Sequence, residues 1–164
     1  MSELPEGLVT SRADFVDALT KGISVAAERG CREFCWMDAD FSQWPLSDPA
    51  VLDALTRWAL PHRRLHLLAA QFDTLRSRHP RFVQWRQRFD HVLLARQFAP
   101  DELPAGGPLA AMLAPGLFSL KLLDSRAWRA VCSVQTADLI GTREWFDAIE
   151  QRATESFAAS TLGL

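Results

Sequence analysis

The chain of 164 residues contains no tyrosine, three cysteines, and two lysines against sixteen arginines. An odd number of cysteines without regular spacing does not form a disulfide framework, so we expect a reducing, cytoplasmic setting. No run approaches the roughly 18 apolar residues that cross a bilayer. The acidic N-terminus lacks the basic start of a secretory signal. We therefore predict that the protein does not bind or cross a membrane.

The composition is that of an ordinary soluble domain, with 48% apolar and 23% charged residues. The length suggests one domain, and we predict a flexible N-terminus over residues 1–10 and a single domain over residues 11–164. The chain lacks a glycine-rich nucleotide fingerprint and a Gly-x-Ser-x-Gly nucleophile elbow. We accordingly predict no cofactor, no metal site and no catalytic residue.

Helix and strand patterns alternate along the first hundred residues. Ser11 begins a capping box, and Asp48 followed by proline is a typical helix start. The apolar segments expected to form strands are residues 31–37, 65–70 and 92–95, and the expected helices follow Ser11, Asp48 and Pro80. The resulting αβαβαβ order predicts a largely parallel sheet covered by helices.

A loop rich in proline and glycine, residues 99–108, interrupts this alternation. Beyond it, the apolar runs 109–113 and 117–123 flank an Ala-Pro-Gly turn, which is typical of an antiparallel hairpin. A long helix is expected from about Ala137. The predicted fold is α/β, a mostly parallel sheet flanked by helices, with a C-terminal antiparallel hairpin and a long closing helix.

Polar residues follow the predicted parallel strands. Asp38 and Asp40 come after the first strand, and Arg96 and Gln97 come after the third. Ligands of open α/β sheets bind outside the carboxyl ends of the strands, so we predict that these four residues bind a ligand. The two acids alternatively only shape a turn. If burial separates their pKa values, they instead support an enzyme of another class.

Arginine is concentrated in residues 57–98, which carry nine arginines and two acids, whereas both flanking segments are net acidic. Guanidinium groups bind phosphates and carboxylates through paired hydrogen bonds. We predict that Arg78, Arg81 and Arg88 form an anion-binding face, with nucleic acid as one ligand. The alternative is that these arginines pair with the acidic first helices or are simply solvated. The net charge of −2 gives no further support to nucleic acid.

The histidines and cysteines offer weaker signals. His62 and His66 are four residues apart, but they straddle the start of a predicted strand and enclose no acid. Cys31 and Cys35 are also four apart, and in a strand both side chains point to one face. We interpret the cysteines as small buried apolar residues rather than as metal ligands.

Four stretches carry a resemblance to a known family. They are Ser11-Arg12-Ala13-Asp14-Phe15, His79-Pro80-Arg81-Phe82, Leu113-Ala114-Pro115-Gly116-Leu117 and Thr161-Leu162-Gly163-Leu164. Together with the order of elements, they resemble the phospholipase D-like fold, and in particular an uncharacterised group of proteobacterial proteins. The chain is also similar to a domain found behind acetyltransferases in some proteobacteria. The resemblance extends from about residue 11 to the end of the chain.

The resemblance implies a His-x-Lys-x-x-x-x-Asp motif, whose histidine attacks phosphorus while the lysine binds the phosphate. The strand expected to carry it, residues 109–113, contains neither residue, and the nearest match is Ser119-Leu120-Lys121 on the following strand. We therefore predict a degenerate motif and a non-catalytic binding domain. Because phospholipase D-like folds commonly associate in pairs, a homodimer or another protein partner is expected.

Overall fold

Eight strands and five helices make up residues 3–159, the part of the chain that this computed structural model describes. The strands are β1 (Gly7–Val9), β2 (Glu33–Met37), β3 (Arg64–Ala69), β4 (Leu93–Gln97), β5 (Ala110–Ala114), β6 (Phe118–Asp124), β7 (Arg129–Ser133) and β8 (Thr154–Glu155). The helices are α1 (Arg12–Arg29), α2 (Pro49–Trp58), α3 (Asp73–Arg78), α4 (Pro80–Arg88) and α5 (Thr136–Arg152), with a 3₁₀ turn at Pro100–Glu102. The C-terminal stretch Thr161–Leu164 lies outside the described residues.

Side-chain caps fix where the first two long helices begin. Ser11 Oγ accepts the main-chain N–H of Asp14 at 3.1 Å, and α1 ends at Gly30, whose φ of 71° is left-handed. Asp48 Oδ1 accepts the N–H of Ala50 at 2.9 Å at the start of α2. These starts were predicted because capping is a local interaction that the sequence states directly.

All eight strands form one mixed sheet in the order β1-β7-β6-β5-β2-β3-β4-β8. The central strands β2, β3 and β4 run parallel, as the αβαβαβ order predicted. Every other pairing in the described sheet is antiparallel, including that of β5 with β2. The prediction of a mostly parallel sheet therefore holds only for β2 to β4, because the αβαβαβ alternation ends at the loop of residues 99–108. The α/β class, the β5–β6 hairpin and the closing helix α5 are thereby confirmed.

Two short strands complete the edges of the sheet. In the segment 1–10, for which we predicted a flexible chain, Gly7–Val9 pairs with β7. At the opposite edge, β8 pairs antiparallel with the last two residues of β4. Strands of two or three residues carry too little periodicity to be recognised from a sequence.

The helices lie on both faces of the sheet. Helices α1 to α4 cover one face with a core that includes Phe34, Trp36 and Phe82. Helix α5 covers the other face through Leu139, Phe146 and Ile149. The residues in these two cores alternate along β2, as the pleat of a strand requires.

This two-sided packing corrects one prediction. Cys35 lies in the core beneath α5, whereas Cys31 precedes β2 and packs against the core of the opposite face. The prediction that both cysteines point to one face is therefore wrong, because the strand begins two residues after Cys31. Among the described residues, no helix is long and apolar enough to span a membrane.

Candidate functional site

The β5–β6 hairpin carries the residues nearest to a His-x-Lys motif. All five residues of β5 are buried, and none is histidine or lysine. On β6, Ser119 and Lys121 point to the face covered by α5, because Leu120 and Leu122 belong to the opposite core. Ser119 is fully buried and its hydroxyl lacks a hydrogen-bond partner among the described residues. Lys121 is half-buried.

The acids that follow β2 shape a turn. Asp38 Oδ2 accepts the N–H of Phe41 at 2.7 Å and the N–H of Asp40 at 3.2 Å. Asp40 Oδ1 accepts the N–H of Ser42 at 2.9 Å. Burial raises the pKa of Asp38 to about 6, against the opposing effect of these hydrogen bonds. These contacts are the turn interactions that we considered as the alternative to ligand binding.

Arg96 and Gln97 lie at a different place on the same edge. Arg96 Nη1 donates to the carbonyl oxygens of Glu150 at 3.4 Å and Ala153 at 3.5 Å, at the end of α5. Gln97 Oε1 accepts the hydroxyl of Ser156 at 3.3 Å. Strand β3 separates β4 from β2, so roughly 10 Å lies between these two residues and the acids. That all four residues bind one ligand stays a prediction.

The arginines of α3 and α4 differ in their surroundings. Arg78, Arg81 and Arg88 are exposed, and no carboxylate of the described residues pairs with them. Arg86 is buried, and its guanidinium donates to Asp90 Oδ1 at 2.9 Å and to a main-chain carbonyl. The alternative that the arginines pair with the acidic first helices is therefore not seen at these three positions.

The position of Arg86 was available from the sequence. The apolar stripe of α4 consists of Phe82, Trp85 and Phe89, and residue 86 falls on that same stripe at helical spacing. Arg81 and Arg88 lie on another side of α4 and line a groove of about 430 Å³ shared with α2. They are two helical turns apart, which is roughly 10 Å along the axis.

A charged cluster under α5 was not predicted. His66 Nδ1 lies 2.8 Å from Glu150 Oε2, and His66 Nε2 lies 3.3 Å from Glu33 Oε1. Arg143 Nη1 contacts Glu33 Oε2 at 2.9 Å, and its Nε donates to Asp147 Oδ1 at 3.0 Å. Up to 110 positions of sequence separate the paired residues. Since no local pattern links them, sequence reasoning singled out His66 alone.

A second histidine fastens a loop. His79 Nε2 donates to the carbonyl oxygen of Phe41 at 2.9 Å, so Nδ1 is free to accept the hydroxyl of Ser47 at 2.7 Å. Burial lowers the pKa of His79 and keeps it neutral, and the charge of Arg78 acts in the same direction. The contact ties the loop after β2 to the junction between α3 and α4.

No protein-family model and no curated protein matches the chain. Similar folds occur among solved structures. One is TrmBL2, described as an archaeal chromatin protein with a novel mode of DNA binding, with a TM-score of 0.65 and 13% identity. The alignment covers 95% of this chain and 56% of TrmBL2. The chain thus spans a little over half the length of that protein.

Two further structures identify the architecture. NucT from Helicobacter pylori has a TM-score of 0.56 and 8% identity, and the alignment covers 94% of this chain and 100% of NucT. A phosphatidylserine synthase from Haemophilus influenzae Rd KW20 has a TM-score of 0.55 and 11% identity, covering 90% of this chain and 38% of the synthase. The chain has a phospholipase D-like fold.

The structural similarity establishes the phospholipase D-like fold, but at identities this low a shared fold does not imply a shared chemistry. In this fold the hairpin is the element on which the resemblance placed the His-x-Lys motif. Here the hairpin presents a buried serine and a half-buried lysine under α5. The exposed arginines Arg78, Arg81 and Arg88 lie on the opposite face of the sheet, on α3 and α4.

Proposed function

We propose that this protein is a non-catalytic binding domain on a phospholipase D-like scaffold, and that it binds nucleic acid or a similar polyanion. The binding surface is the arginine face, which we define as Arg78, Arg81 and Arg88. The observation that carries the proposal is that these three guanidinium groups are exposed without a carboxylate partner among the described residues. The guanidinium of Arg88 lies 5.1 Å from the centre of the Phe89 ring, a contact that leaves its N–H groups available. Guanidinium groups without a carboxylate partner are suited to phosphate oxygens.

The charge distribution supports a local surface rather than a generally basic protein. Residues 57–98 carry nine arginines and two acids, although the whole chain has a net charge of −2. A polyanion is therefore attracted to the exposed arginines of this segment and repelled by the net acidic flanking segments, which orients it. TrmBL2 is a protein of similar fold whose description names DNA binding, and this supports nucleic acid as the ligand class.

The hairpin supports the absence of phosphodiester transfer. The serine at the position of the nucleophile is fully buried, so a substrate phosphorus cannot approach its hydroxyl. It also lacks a neighbouring base among the described residues that would remove its proton. We propose that the motif is degenerate, as in the uncharacterised bacterial group that the sequence resembles.

Fluorescence anisotropy with a labelled 20-nucleotide duplex, a single strand of the same sequence and an RNA strand tests the proposal. For each phosphate contact, the slope of log K against log salt is about −0.9 for duplex DNA. Replacing Arg78, Arg81 and Arg88 together by glutamine is expected to weaken binding at least tenfold and to reduce the slope by about 2 to 3.

The matched control changes the same charge elsewhere. Arg126, Arg129 and Arg152 are also exposed, and their triple glutamine variant is expected to bind as the wild type does. Binding that is absent, independent of salt, or equally weakened in both triple variants contradicts the proposal. Turnover of bis-p-nitrophenyl phosphate that disappears in Lys121→Ala contradicts the non-catalytic assignment.

Self-association is a second candidate, favoured by an apolar groove beside the N-terminal half of α5. Pro115, Val134, Leu139 and Ile140 line this groove of about 280 Å³, and Ile140 is 54% exposed. Exposed apolar surface of this kind suits the two-fold homodimer that we expected. Light scattering after size exclusion is expected to give twice the monomer mass, and Ile140→Glu to give a monomer. A monomeric wild type across the micromolar range removes this candidate.

The redox state of the cysteines indicates the compartment in which the protein functions. The three cysteines are free thiols in the structure. Free thiols are typical of a reducing compartment, and this supports the cytoplasmic location that we propose.

A further inference from the structure

Both ring nitrogens of His66 face carboxylate oxygens. Nδ1 lies 2.8 Å from Glu150 on α5, and Nε2 lies 3.3 Å from Glu33 on β2. An ionised carboxylate only accepts hydrogen bonds, so both contacts are hydrogen bonds only if the ring carries two protons. The observed arrangement is therefore that of a charged imidazolium bridging α5 to the sheet.

We propose that His66 is a proton-operated latch that holds α5 against the sheet and loosens the helix when the imidazolium loses a proton. This inference concerns the face of the sheet opposite to the arginine face. It therefore stands independently of the proposed function.

The charges around His66 explain why its proton matters. With His66 charged, two cations face three carboxylates, two of them on α5. Without that charge, Arg143 is the one cation among the described residues of the cluster, against three carboxylates. One ring nitrogen of His66 then presents a lone pair to a carboxylate oxygen, and the two repel each other. Like charges in a half-buried cluster repel more strongly than in water. The groups that face His66 or lie beside the cluster are Glu33 and Cys35 on β2, Arg64 on β3, Arg96 on β4, and Arg143, Asp147 and Glu150 on α5.

The neighbouring cations do not replace the lost charge. Arg64 donates to the carbonyl oxygens of Pro61 and Arg63, and Arg96 donates to carbonyl oxygens at the end of α5. Burial raises the pKa of Cys35, so its thiol stays neutral. The hydrogen bond from Arg143 is the main cause that lowers the pKa of Glu33, so this carboxylate stays charged.

The direction of the pH effect follows from the same contacts. Burial lowers the pKa of His66, but the hydrogen bond and charge of Glu150, together with those of Glu33, outweigh it and raise the pKa above its ordinary value. Stabilisation by the imidazolium is then complete below a pH of about 6.5 and disappears as the pH rises through the folded-state pKa. The latch is closed in mildly acidic solution and weakened in alkaline solution.

Hydrogen exchange of the α5 amides tests the latch. After correction for the intrinsic exchange rate, wild-type α5 protection is expected to fall at least about tenfold between pH 6 and pH 9, the size of one charge-assisted hydrogen bond. In Glu150→Gln, the side chain keeps its shape without its charge, and we expect a fall below about threefold. Glu144→Gln, an exposed acid on the same helix, is the control and is expected to behave as the wild type.

Three results overturn the proposal. The first is that the protection of the wild-type α5 amides stays constant between pH 6 and pH 9. The second is that this protection falls equally in Glu150→Gln. The third is that the amides of α1 lose protection in parallel, which means that the whole fold responds rather than α5.

A chemical readout is independent of these amides. In a Cys31→Ser, Cys132→Ser background, Cys35 lies beneath α5 and reports its release through labelling by a maleimide.

The labelling is compared at one pH, so that the effect of pH itself on the thiol is the same for the background variant and His66→Gln. At pH 6, His66→Gln is expected to label Cys35 at least about tenfold faster than the background variant. At pH 9, where the latch is already open, the two rates are expected to agree within about threefold. Equal rates at pH 6 contradict the latch. If His66→Gln does not fold, the hydrogen-exchange comparison of the wild type with Glu150→Gln remains the test, because the charge of Glu150 itself acts on the Cys35 thiol.

Discussion

Two serines on the neighbouring strands β6 and β7 have contrasting hydrogen-bond surroundings. Ser119 on β6 pairs in register with Ser133 on β7. Ser119 Oγ is buried without a partner, whereas Ser133 Oγ donates to Asp138 and accepts the N–H of Gln135. A buried polar group without a hydrogen bond costs stability that an apolar side chain does not.

We expect opposite effects from the same substitution at these two positions. Ser119→Ala is expected to leave the free energy of unfolding unchanged or to raise it by about 1 kcal/mol. Ser133→Ala, which removes two hydrogen bonds at the start of α5, is expected to lower it by about 1 to 2 kcal/mol. Urea denaturation of both variants at pH 7 provides the measurement. A loss of more than about 1 kcal/mol in Ser119→Ala contradicts the buried-hydroxyl argument.

Asp38 gives a second prediction at the residue scale. Its pKa of about 6 is higher than the ordinary value of 3.8, so the folded state binds this proton more tightly than the unfolded state. The associated stabilisation is present at low pH and is lost as the pH rises through about 6. As the pH rises from 4.5 to 7.5, the free energy of unfolding of the wild type is expected to fall by about 1 to 2 kcal/mol more than that of Asp38→Asn. Urea denaturation of both proteins at both pH values provides the measurement, and a difference between them that does not change with pH contradicts the prediction.

At the scale of the elements, α1 packs closely on the hairpin through a glycine. A Cβ atom on Gly22 would meet Met112 Sδ at 2.8 Å and the ring of Phe118 at 2.9 Å. Gly22→Ala is expected to lower the free energy of unfolding by about 1 to 2 kcal/mol, because overpacking exceeds the roughly 1 kcal/mol gain in helix propensity. Gly141→Ala in α5, where the added Cβ meets no atom within 4 Å, is the control and is expected to stabilise. Thermal denaturation that shows the same sign for both variants contradicts the close packing.

The elements divide into those that local signals predict and those that they do not. Caps at Ser11 and Asp48, the apolar strands and the Ala-Pro-Gly turn act within a few residues, so the sequence revealed them. The placement of β5 beside β2, and of α5 on the face opposite α1 to α4, depends on contacts between distant segments. A periodic pattern states which residues are buried but not which segment buries them.

The candidate site divides in the same way. The arginine face was predicted from the concentration of arginine in residues 57–98. Helical spacing explains the exposure of Arg81 and Arg88, because it places them away from the apolar face of α4. The contacts of His66 were not predicted, since Glu150 lies 84 positions away. The four residues lie at the carboxyl ends of β2 and β4, where the turn, the end of α5 and Ser156 engage their side chains. That they bind a ligand stays a prediction.

At the scale of the whole molecule, the segment after α5 returns to the opposite side of the sheet. Phe157 stacks on Phe72 with ring centroids 5.1 Å apart, and it also lies against Phe82. The guanidinium of Arg76 lies 4.8 Å from the Phe157 ring, and Arg86 Nε donates to its carbonyl oxygen. This segment therefore helps to hold α3 and α4, which carry the arginine face.

Removing the side chain of Phe157 is expected to lower the stability of the protein. Phe157→Ala is expected to lower the free energy of unfolding by about 3 kcal/mol, since a large buried aromatic leaves a cavity. Leu8→Ala at the opposite edge is the control, because Leu8 is 66% exposed, and it is expected to change stability by less than about 0.5 kcal/mol. Urea denaturation measures both, and a cost below about 1 kcal/mol for Phe157→Ala contradicts the anchoring role.

The first and last strands occupy the two outermost positions of the sheet. Seven inter-strand spacings separate them, a span of about 33 Å before twist shortens it. Fluorophores attached beside β1 and β8 therefore report the width of the molecule. A peptide that links these two outermost strands has to cross this distance, which takes about ten extended residues or more.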